Sequence, residues 1–506
     1  MGEAERQRRL RVADTIEDHH RGHISRRQML ATLAELGFFS LAALGGCRRR
    51  SSPTPIRGGP RLDIGPDSAL DPGSEQHRFL EDARRTFTGT RLRVVGENTP
   101  PSRATVDIMR EEFIPLTGID VEWELLPLDR VLAKVVAETA RRTGAIDVFY
   151  CDQAWLGDLY GDMVDPRPLL ARRDLAYPGY DFDDFLPPLI RHVASYKGEL
   201  AAVPFDIPVW IMIYRRDVFE ELDLAVPRTI PEYLAAVKAI FEAHAPDVYG
   251  TAEGWKAGHY SLLQKSTTWL WGHGGAFFGA DERPTIDDDA AALGMAYMLE
   301  LGKYMPPGVT TWDWFGEANS FATGRAGIYI GIGEFFPRYD DPATSSIVGL
   351  AEAAPSPAAL SLRSPTRCGF EETPGMSHHG GSSLAISRYS RNVDAAWLFL
   401  QWATSSDVTT RASLLGGGSS PIRYSNYRDP RVKAMAKVAP GTTRHFDVTL
   451  DAIMNHLGTE PHLPGWARLS VDSFAVELGK LTTNQQSIEA TLRNMAAAAE
   501  KVVEGR

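Results

Sequence analysis

Short β-rich runs alternate with amphipathic stretches between residues 88 and 152, and this order limits the possible folds more than any other feature. The runs "TRLRVVGE", "IDVEWELL" and "AIDVFYC" are rich in β-branched and aromatic residues. Between them, "RATVDIMREEFIPLTG" and "DRVLAKVVAETARR" have the spacing of amphipathic helices. A strand–helix–strand–helix–strand order predicts an α/β fold whose parallel sheet carries helices on both faces.

Polar side chains follow the ends of two of these predicted strands. Glu97 and Asn98 come after the first, and Tyr150, Asp152 and Gln153 close the third. In open α/β sheets, ligands bind outside the carboxyl ends of the strands. We therefore nominate these five residues as ligand contacts on geometry alone.

The N-terminal region has the features of an export signal. "SRRQML" resembles a twin-arginine motif, an apolar stretch interrupted by Glu35 follows, and "LGGC" resembles a bacterial lipobox ending at Cys47. We expect residues 1–46 to be removed, Cys47 to be lipidated, and residues 47–87 to form a tether. The tether is rich in Pro, Gly, Ser and Arg over residues 48–75, and a helix is expected from Glu75 to Phe87. A buried amphipathic helix with an incidental cysteine is the alternative, and the arginines after Cys47 are unusual for a lipobox.

Length and composition restrict the function classes. About 460 residues follow Cys47, which favours two domains, and no other stretch is apolar enough to span a membrane. The formal net charge of −11 argues against a nucleic-acid partner. Neither Cys151 and Cys368 nor the 13 histidines have metal-ligand spacing, so we expect no metal and no cofactor. Whether the two cysteines pair stays open.

Four later stretches occur in an order that resembles family 1 of the extracellular solute-binding proteins of ABC importers, the class that includes maltose- and polyol-binding proteins. They are "VPFDIPVWIMIYRRDVFEELDLAVPRTIPEYLAAVKAI", "FATGRAGIYIGIGEFF", "DPATSSIVGL" and "GGSSLAISRYSRNVDAAWLFLQWATSSDV". The resemblance covers about residues 90–500. Arg215 and Gly327 depart from the family pattern.

The resemblance implies a type II periplasmic-binding-protein clamp, in which two lobes close on a ligand about hinge crossovers. Each lobe would contain a mainly parallel sheet flanked by helices. Lobe 1 would comprise residues 88–205 and 355–418, and lobe 2 residues 206–354 and 419–506, with crossovers near Pro204, Pro355 and Gly417. The protein would be a monomer outside the cytoplasmic membrane or in the periplasm, lipid-anchored, and would deliver a carbohydrate or polyol to an ABC permease.

A sugar site needs carboxylates or amides for hydroxyl groups and aromatic rings for the C–H face. Trp155 and Phe335 follow strand ends in different predicted lobes, so they could sandwich a sugar ring. The further candidates are Asp206, Trp210, Trp271, Glu334, Gly380, Gly381 and Arg423. For each of them a core, turn or ion-pair role is the alternative. We expect Trp397 and Trp402 to be core residues, and His378 and His379 to lie on a surface loop.

Two other function classes remain possible from the sequence. A secreted carbohydrate-active enzyme would need two facing carboxylates, and 65 acidic residues leave room for such a pair, although GxSxG and dinucleotide motifs are absent. An oligopeptide or metal binder could use a related clamp. We predict a binding protein rather than an enzyme, and a sugar titration with product analysis separates these alternatives.

Overall fold

A computed structural model describes residues 70–357, 359–361, 371–373, 377–416 and 420–505, together with Gln28. The predicted signal, the lipidation site at Cys47, the first part of the tether and Cys368 lie outside these residues. Within the described residues no helix is both long and apolar enough to cross a membrane.

Twelve strands occur in the described residues. They are β1 Arg91–Glu97, β2 Asp120–Leu126, β3 Val148–Asp152, β4 Ser195–Tyr196, β5 Glu199–Leu200, β6 Val203–Asp206, β7 Trp210–Arg215, β8 Ile328–Ile332, β9 Ala351–Ala354, β10 Ala359–Ser361, β11 Glu371–Thr373 and β12 Ser382–Ile386.

The first sheet has five strands in the order β2-β1-β3-β12-β6. Strand β1 pairs in parallel with β2 and β3, as the strand–helix alternation predicts, whereas β12 is antiparallel to both β3 and β6. Pro204 lies in β6, at the edge of the sheet, where its missing N–H costs no central ladder hydrogen bond. The carboxyl ends of β1, β3 and β6 therefore share one edge of the sheet.

The second sheet has three strands in the order β8-β7-β9, and both of its pairs are antiparallel. The prediction of a mainly parallel sheet in each lobe is therefore wrong for this one. The physical reason is the route of the chain. Strand β7 enters from the first sheet at Trp210, which pairs with Ile332 at the end of β8. Strands β8 and β9 both run back toward that entry point, so they must oppose β7.

Helices cover both sheets. They are α1 Glu75–Phe87, α2 Pro100–Ile108, α3 Ile114–Thr117, α4 Leu128–Arg141, α5 Leu156–Leu159, α6 Arg167–Leu170, α7 Pro187–Val193, α8 Arg216–Glu221, α9 Ile230–His244, α10 Tyr260–Gly272, α11 Asp289–Gly302, α12 Trp314–Ala322, α13 Val393–Ala403, α14 Ser406–Gly416, α15 Tyr424–Arg428, α16 Pro430–Ala434, α17 Phe446–Asp451, α18 Trp466–Arg468, α19 Ala475–Thr482 and α20 Ile488–Glu504.

Local signals in the sequence identify several helix ends correctly. Thr229 caps α9, and its hydroxyl accepts a hydrogen bond from the backbone N–H of Glu232. Gly118 ends α3 in the left-handed conformation, at φ 68°. Trp397 and Trp402 are buried in the core, as predicted, and the indole N–H of Trp402 donates to the Glu112 carboxylate at 2.9 Å.

Two crossing segments join the sheets side by side. Residues 207–209 connect β6 to β7, and residues 377–381 lead into β12. The N–H of Trp210 donates to the carbonyl of His378, and the N–H of Gly380 donates to the carbonyl of Pro208, both at 2.9 Å. The two crossings are thus held together as a short antiparallel ribbon, which is a small element able to absorb a hinge motion.

The segment after the third predicted crossover packs on the side of the first sheet. The N–H of Leu186 donates to the carbonyl of Ile422, and the N–H of Ser425 donates to the Asp184 carboxylate at 3.0 Å. Residues 420–428 therefore contact lobe 1, although the predicted division assigned 419–506 to lobe 2. The division into two lobes otherwise remains a prediction.

Candidate functional site

A cleft of about 2600 Å³ opens between the two sheets. Its walls include the carboxyl ends of β1, β3 and β6 on one side and the residues after β8 on the other. Ten of the predicted ligand contacts line it: Glu97, Asn98, Tyr150, Asp152, Trp155, Asp206, Trp210, Glu334, Phe335 and Gly380. Most of the residues selected from the sequence therefore line one cavity. Their role as ligand contacts stays a prediction.

Acidic side chains meet at the base of the cleft. The hydroxyl of Tyr150 donates to the Glu97 carboxylate at 3.1 Å and lies 3.5 Å from Asp206 Oδ2. The carboxyl of Glu334 lies within hydrogen-bonding range of that of Asp206 and accepts a bond from the N–H of Ser420 at 3.1 Å. Groups from both sheets thus form one cluster, which we call the acidic cluster: Glu97, Tyr150, Asp206 and Glu334.

Burial and mutual repulsion make these acids reluctant to ionise. Burial, followed by the charge of Asp206, raises the pKa of Glu97 to about 8. Burial also raises the pKa of Asp206 to about 6, and burial together with Asp206 raises the pKa of Glu334 well above its usual range. Asp152, whose carboxylate caps the turn at Ala154, likewise has its pKa raised by burial. Such a cluster can share protons among its members.

Two buried polar atoms on residues that line the cleft, one of them in the acidic cluster, have no hydrogen-bond partner among the described residues. They are Oδ1 of Asp206, an acceptor, and Nε1 of Trp210, a donor. Both residues line the cleft, and each is about 1% exposed. An unsatisfied buried polar atom costs about 1–3 kcal/mol, so a ligand that supplies the missing partners gains binding energy.

An aromatic wall of the cleft is formed by the start of α12 and the turn after β8. Trp314, Phe315 and Phe335 line the cleft, and the rings of Phe315 and Phe335 lie 5.3 Å apart. Phe315 is 49% exposed, which is unusual for so large an apolar side chain. Neither Phe315 nor Trp314 was among the ligand contacts predicted from the sequence. The dense aromatic stretch "WDWF" at the start of α12 was the available signal.

Trp155 lines the cleft as predicted but is only 5% exposed. It ends the short turn after β3, and residues of α18 pack against that turn. Little of its ring is open to a ligand, so its expected role as a stacking platform has weak support from the geometry. Phe315 and Phe335 offer more free ring surface.

Gln153 and Gly381 are not among the residues that line the cleft, so the geometry does not support their predicted role as ligand contacts. The amide nitrogen of Gln153 donates to the carbonyl of His379 at 2.8 Å, and its oxygen accepts from the hydroxyl of Thr459 at 2.6 Å. Gly381 lies beneath His379, whose ring nitrogen accepts the Gly381 N–H at 3.0 Å. Both residues secure the crossing segments instead.

Arg423 and Trp271 are also away from the cleft. The Arg423 guanidinium stacks 3.7 Å from the centre of the Phe185 ring and donates to the carbonyl of Thr404, so it stabilises the first lobe. Trp271 stacks on His378 with ring centres 5.5 Å apart. Both residues were selected partly because glycines lie near them in the sequence. Glycines indicate turns as often as binding sites.

His378 and His379 are fully buried, so the expectation of a surface pair is wrong. They lie in the second crossing segment, where His378 pairs with the Glu460 carboxylate at 2.8 Å. Burial and three neighbouring histidines hold the pKa of His379 well below its usual value. A loop that crosses between two sheets is covered from both sides, which explains the burial.

Several polar residues that sequence analysis did not select also line the cleft: Thr99, Arg103, His259, Tyr260, Gln264, Asn319 and Arg338. Gln264 orients the aromatic wall, because its oxygen accepts the indole N–H of Trp314 at 2.7 Å. Arg103 donates to the side chain of Asn98 at 3.0 Å. Within the described ranges, no group of three or more His, Cys, Asp or Glu residues has a metal-binding arrangement.

Comparison with known proteins agrees with this architecture. A probable amino-acid ABC transporter periplasmic-binding protein of Sinorhizobium fredii is 25% identical over 377 residues, 72% of this chain and 80% of that protein. An erythritol/L-threitol-binding protein of Mycolicibacterium smegmatis is 24% identical, over 84% of this chain and 87% of its own.

Solved structures share the fold. A solute-binding protein of Agrobacterium radiobacter in complex with ribitol superposes with a TM-score of 0.70 at 24% identity, covering 82% of this chain and 99% of that one. A solute-binding protein of Agrobacterium vitis with bound D-mannitol gives a TM-score of 0.65 at 20% identity, covering 82% and 99%. The model of the bacterial extracellular solute-binding proteins matches residues 104–410, which is more than half of the chain. The chain belongs to the bacterial extracellular solute-binding protein family.

Proposed function

We propose that this protein binds a carbohydrate or polyol in the cleft between its sheets and delivers it to an ABC permease. One observation carries the proposal: hydrogen-bonding carboxyls and exposed aromatic rings face the same cleft from opposite sheets. Carboxyls hydrogen-bond to hydroxyl groups, and rings cover the C–H face of a sugar. Relatives and structural neighbours that bind ribitol, mannitol or erythritol support this ligand class.

The size of the cleft supports a clamp mechanism. Pockets that bury small ligands usually measure about 300–1,000 Å³, whereas this cleft measures about 2600 Å³. A monosaccharide-sized ligand would be enclosed only after the two sheets approach each other. The ribbon of two crossings offers the pivot.

Calorimetric titration against monosaccharides, disaccharides and polyols tests the proposal. We expect at least one neutral or amino-substituted sugar or polyol to bind, with no product detected by chromatography after prolonged incubation. Conversion of the sugar would instead establish a carbohydrate-active enzyme. Failure of every sugar and polyol, with saturable binding of free amino acids, would contradict the proposal.

We further propose that the protein is exported and anchored as a monomeric lipoprotein. The twin-arginine motif and the lipobox ending at Cys47 motivate this proposal, and membership of an extracellular family supports the location. Metabolic labelling with a radioactive fatty acid should mark the wild-type protein and not Cys47→Ala. Cys151→Ala serves as a control, because Cys151 is buried and its substitution should leave the label in place. Equal labelling of Cys47→Ala would contradict lipidation at this residue.

A further inference from the structure

The carboxyls of the acidic cluster lack a cationic partner within the part of the chain that the structure describes. Of the residues that the structure describes, no lysine or arginine forms an ion pair with Glu97, Asp206 or Glu334, although Asp206 is almost fully buried. Buried carboxylates are normally paired or hydrogen-bonded, since desolvation of an isolated charge is costly. This protein gathers three carboxyls from two different sheets around one cavity: the buried Asp206 and the half-buried Glu97 and Glu334. They have hydrogen bonds but no charged partner among the described residues.

Two unpartnered atoms on cleft-lining residues indicate which groups a ligand should supply. Asp206 Oδ1 needs a donor, and Trp210 Nε1 needs an acceptor. The nearby Glu334 carboxyl can satisfy Asp206 only while it holds a proton, because two carboxylates cannot hydrogen-bond to each other. A ligand with several donors would satisfy both carboxylates together, and a hydroxyl on the same ligand would accept the indole N–H.

We propose that the cleft selects a cationic sugar or polyol, one that carries a primary amine beside its hydroxyl groups. The ammonium group would lie among Glu97, Asp206 and Glu334 and would donate its three N–H bonds to them. A neighbouring ligand hydroxyl would accept from Trp210 Nε1. The exposed rings of Phe315 and Phe335 would cover the remaining C–H face. This inference rests on the proposed function and narrows its ligand class.

Electrostatics give the reason for such a preference. A neutral polyol does not reduce the repulsion among the three carboxylates. The cluster must therefore keep some of its carboxyls protonated while it binds such a ligand. An ammonium ion neutralises part of that charge at short range, where the interaction is strong because water is largely excluded. The gain exists only while the carboxylates can ionise, so it should be lost when one of them is made neutral.

Matched ligand pairs test the proposal at pH 7.5 by calorimetry. The pairs are D-glucitol with 1-amino-1-deoxy-D-glucitol, D-glucose with D-glucosamine, and D-galactose with D-galactosamine. In at least one pair we expect the amine to bind about tenfold tighter than its neutral partner or better. Asp206→Asn should remove this preference, so that the amine and its neutral partner bind the variant with affinities within about threefold of each other.

Two further variants keep the result interpretable. Glu334→Gln should reduce the preference in the same way, and it serves if Asp206→Asn does not fold. Glu122→Gln removes an exposed charge from β2 and should keep the full preference.

Equal or tighter binding of the neutral member in every pair overturns this inference and leaves the proposed function intact. Binding of neither member of any pair counts against both. A preference for amines that persists in both cluster variants would place the ammonium elsewhere and would also overturn the assignment.

Discussion

At the scale of residues, the acidic cluster costs stability in the protein without ligand. The pKa of Glu97 is raised from 4.5 to about 8, so between these pH values the folded protein holds a proton that the unfolded chain releases. Stability from this group is therefore fully present below pH 4.5 and is lost as pH rises toward 8. The acidic cluster therefore lowers the stability of the folded protein as pH rises.

Glu97→Gln should stabilise the ligand-free protein at pH 8, by about 1–3 kcal/mol, and change it little at pH 5. Glutamine keeps a hydrogen bond to the Tyr150 hydroxyl and has no charge to desolvate. Urea unfolding at both pH values measures the difference, with Glu122→Gln as the matched surface control. Destabilisation at pH 8 would mean that the Glu97 carboxylate is ionised and compensated in the folded protein.

Substitutions of two aromatic residues should affect different properties, one the ligand affinity and the other the stability of the protein. Phe315→Ala removes an exposed ring and should weaken binding of the sugar or polyol about tenfold, with a loss of less than about 1 kcal/mol in stability. Trp155→Ala removes a buried ring and should destabilise the protein by about 3–5 kcal/mol. Calorimetry and denaturant melts of both variants provide the test. A tenfold loss of affinity in Trp155→Ala with unchanged stability would restore Trp155 as the stacking platform.

At the scale of elements, the start of α17 carries a buried histidine with a measurable pH effect. His445 precedes Phe446, neither ring nitrogen of His445 has a hydrogen-bond partner among the described residues, and its ring stacks on Phe336 with centres 5.0 Å apart. Burial, followed by the charge of Arg444, lowers its pKa to about 3. The unfolded chain takes up a proton below pH 6.5 that the folded protein refuses, so stability falls as pH drops from 6.5 toward 3.

His445→Phe should remove this loss. We expect the advantage of the variant over the wild type to be about 1–2 kcal/mol larger at pH 5 than at pH 7.5, because only the wild-type chain takes up this proton on unfolding. Denaturant midpoints across this pH range give the comparison. Parallel curves for variant and wild type would show that His445 does not contribute to the pH dependence.

The limits of helices were easier to predict from the sequence than the burial of individual side chains. Helix α1 has the limits predicted from the sequence. The caps at Thr229 and Gly118 are of residue types that favour helix ends, because capping and glycine signals act locally. His378 and His379 were misjudged because their burial comes from segments that are distant in sequence. The antiparallel second sheet was missed for the same reason. The direction of each of its strands depends on where the chain crosses between the two sheets.

The candidate site shows the same limit. Glu97, Tyr150 and Asp152 could be selected because strand ends in an α/β sheet meet at one edge. The side-chain contacts that hold Gln153 and Arg423 away from the cleft depend on partners such as Thr459 and Phe185. Periodicity carries no information about such partners, so only the fold reveals them.

At the scale of the whole molecule, the path of the chain explains how two sheets build one site. Strands β1, β3 and β6 of the first sheet end at the cleft, and β8 of the second sheet returns to it, which brings Glu334 and Phe335 opposite Glu97 and Asp206. The short ribbon of crossings connects them. The central claim is that ligand binding draws the two sheets together about this ribbon.

Small-angle X-ray scattering, with and without a saturating sugar or amino sugar verified by calorimetry, tests this claim most directly. We expect a smaller radius of gyration with ligand than without it, because the cleft closes. An unchanged radius in the wild-type protein, with full occupancy of the site, would contradict the clamp mechanism.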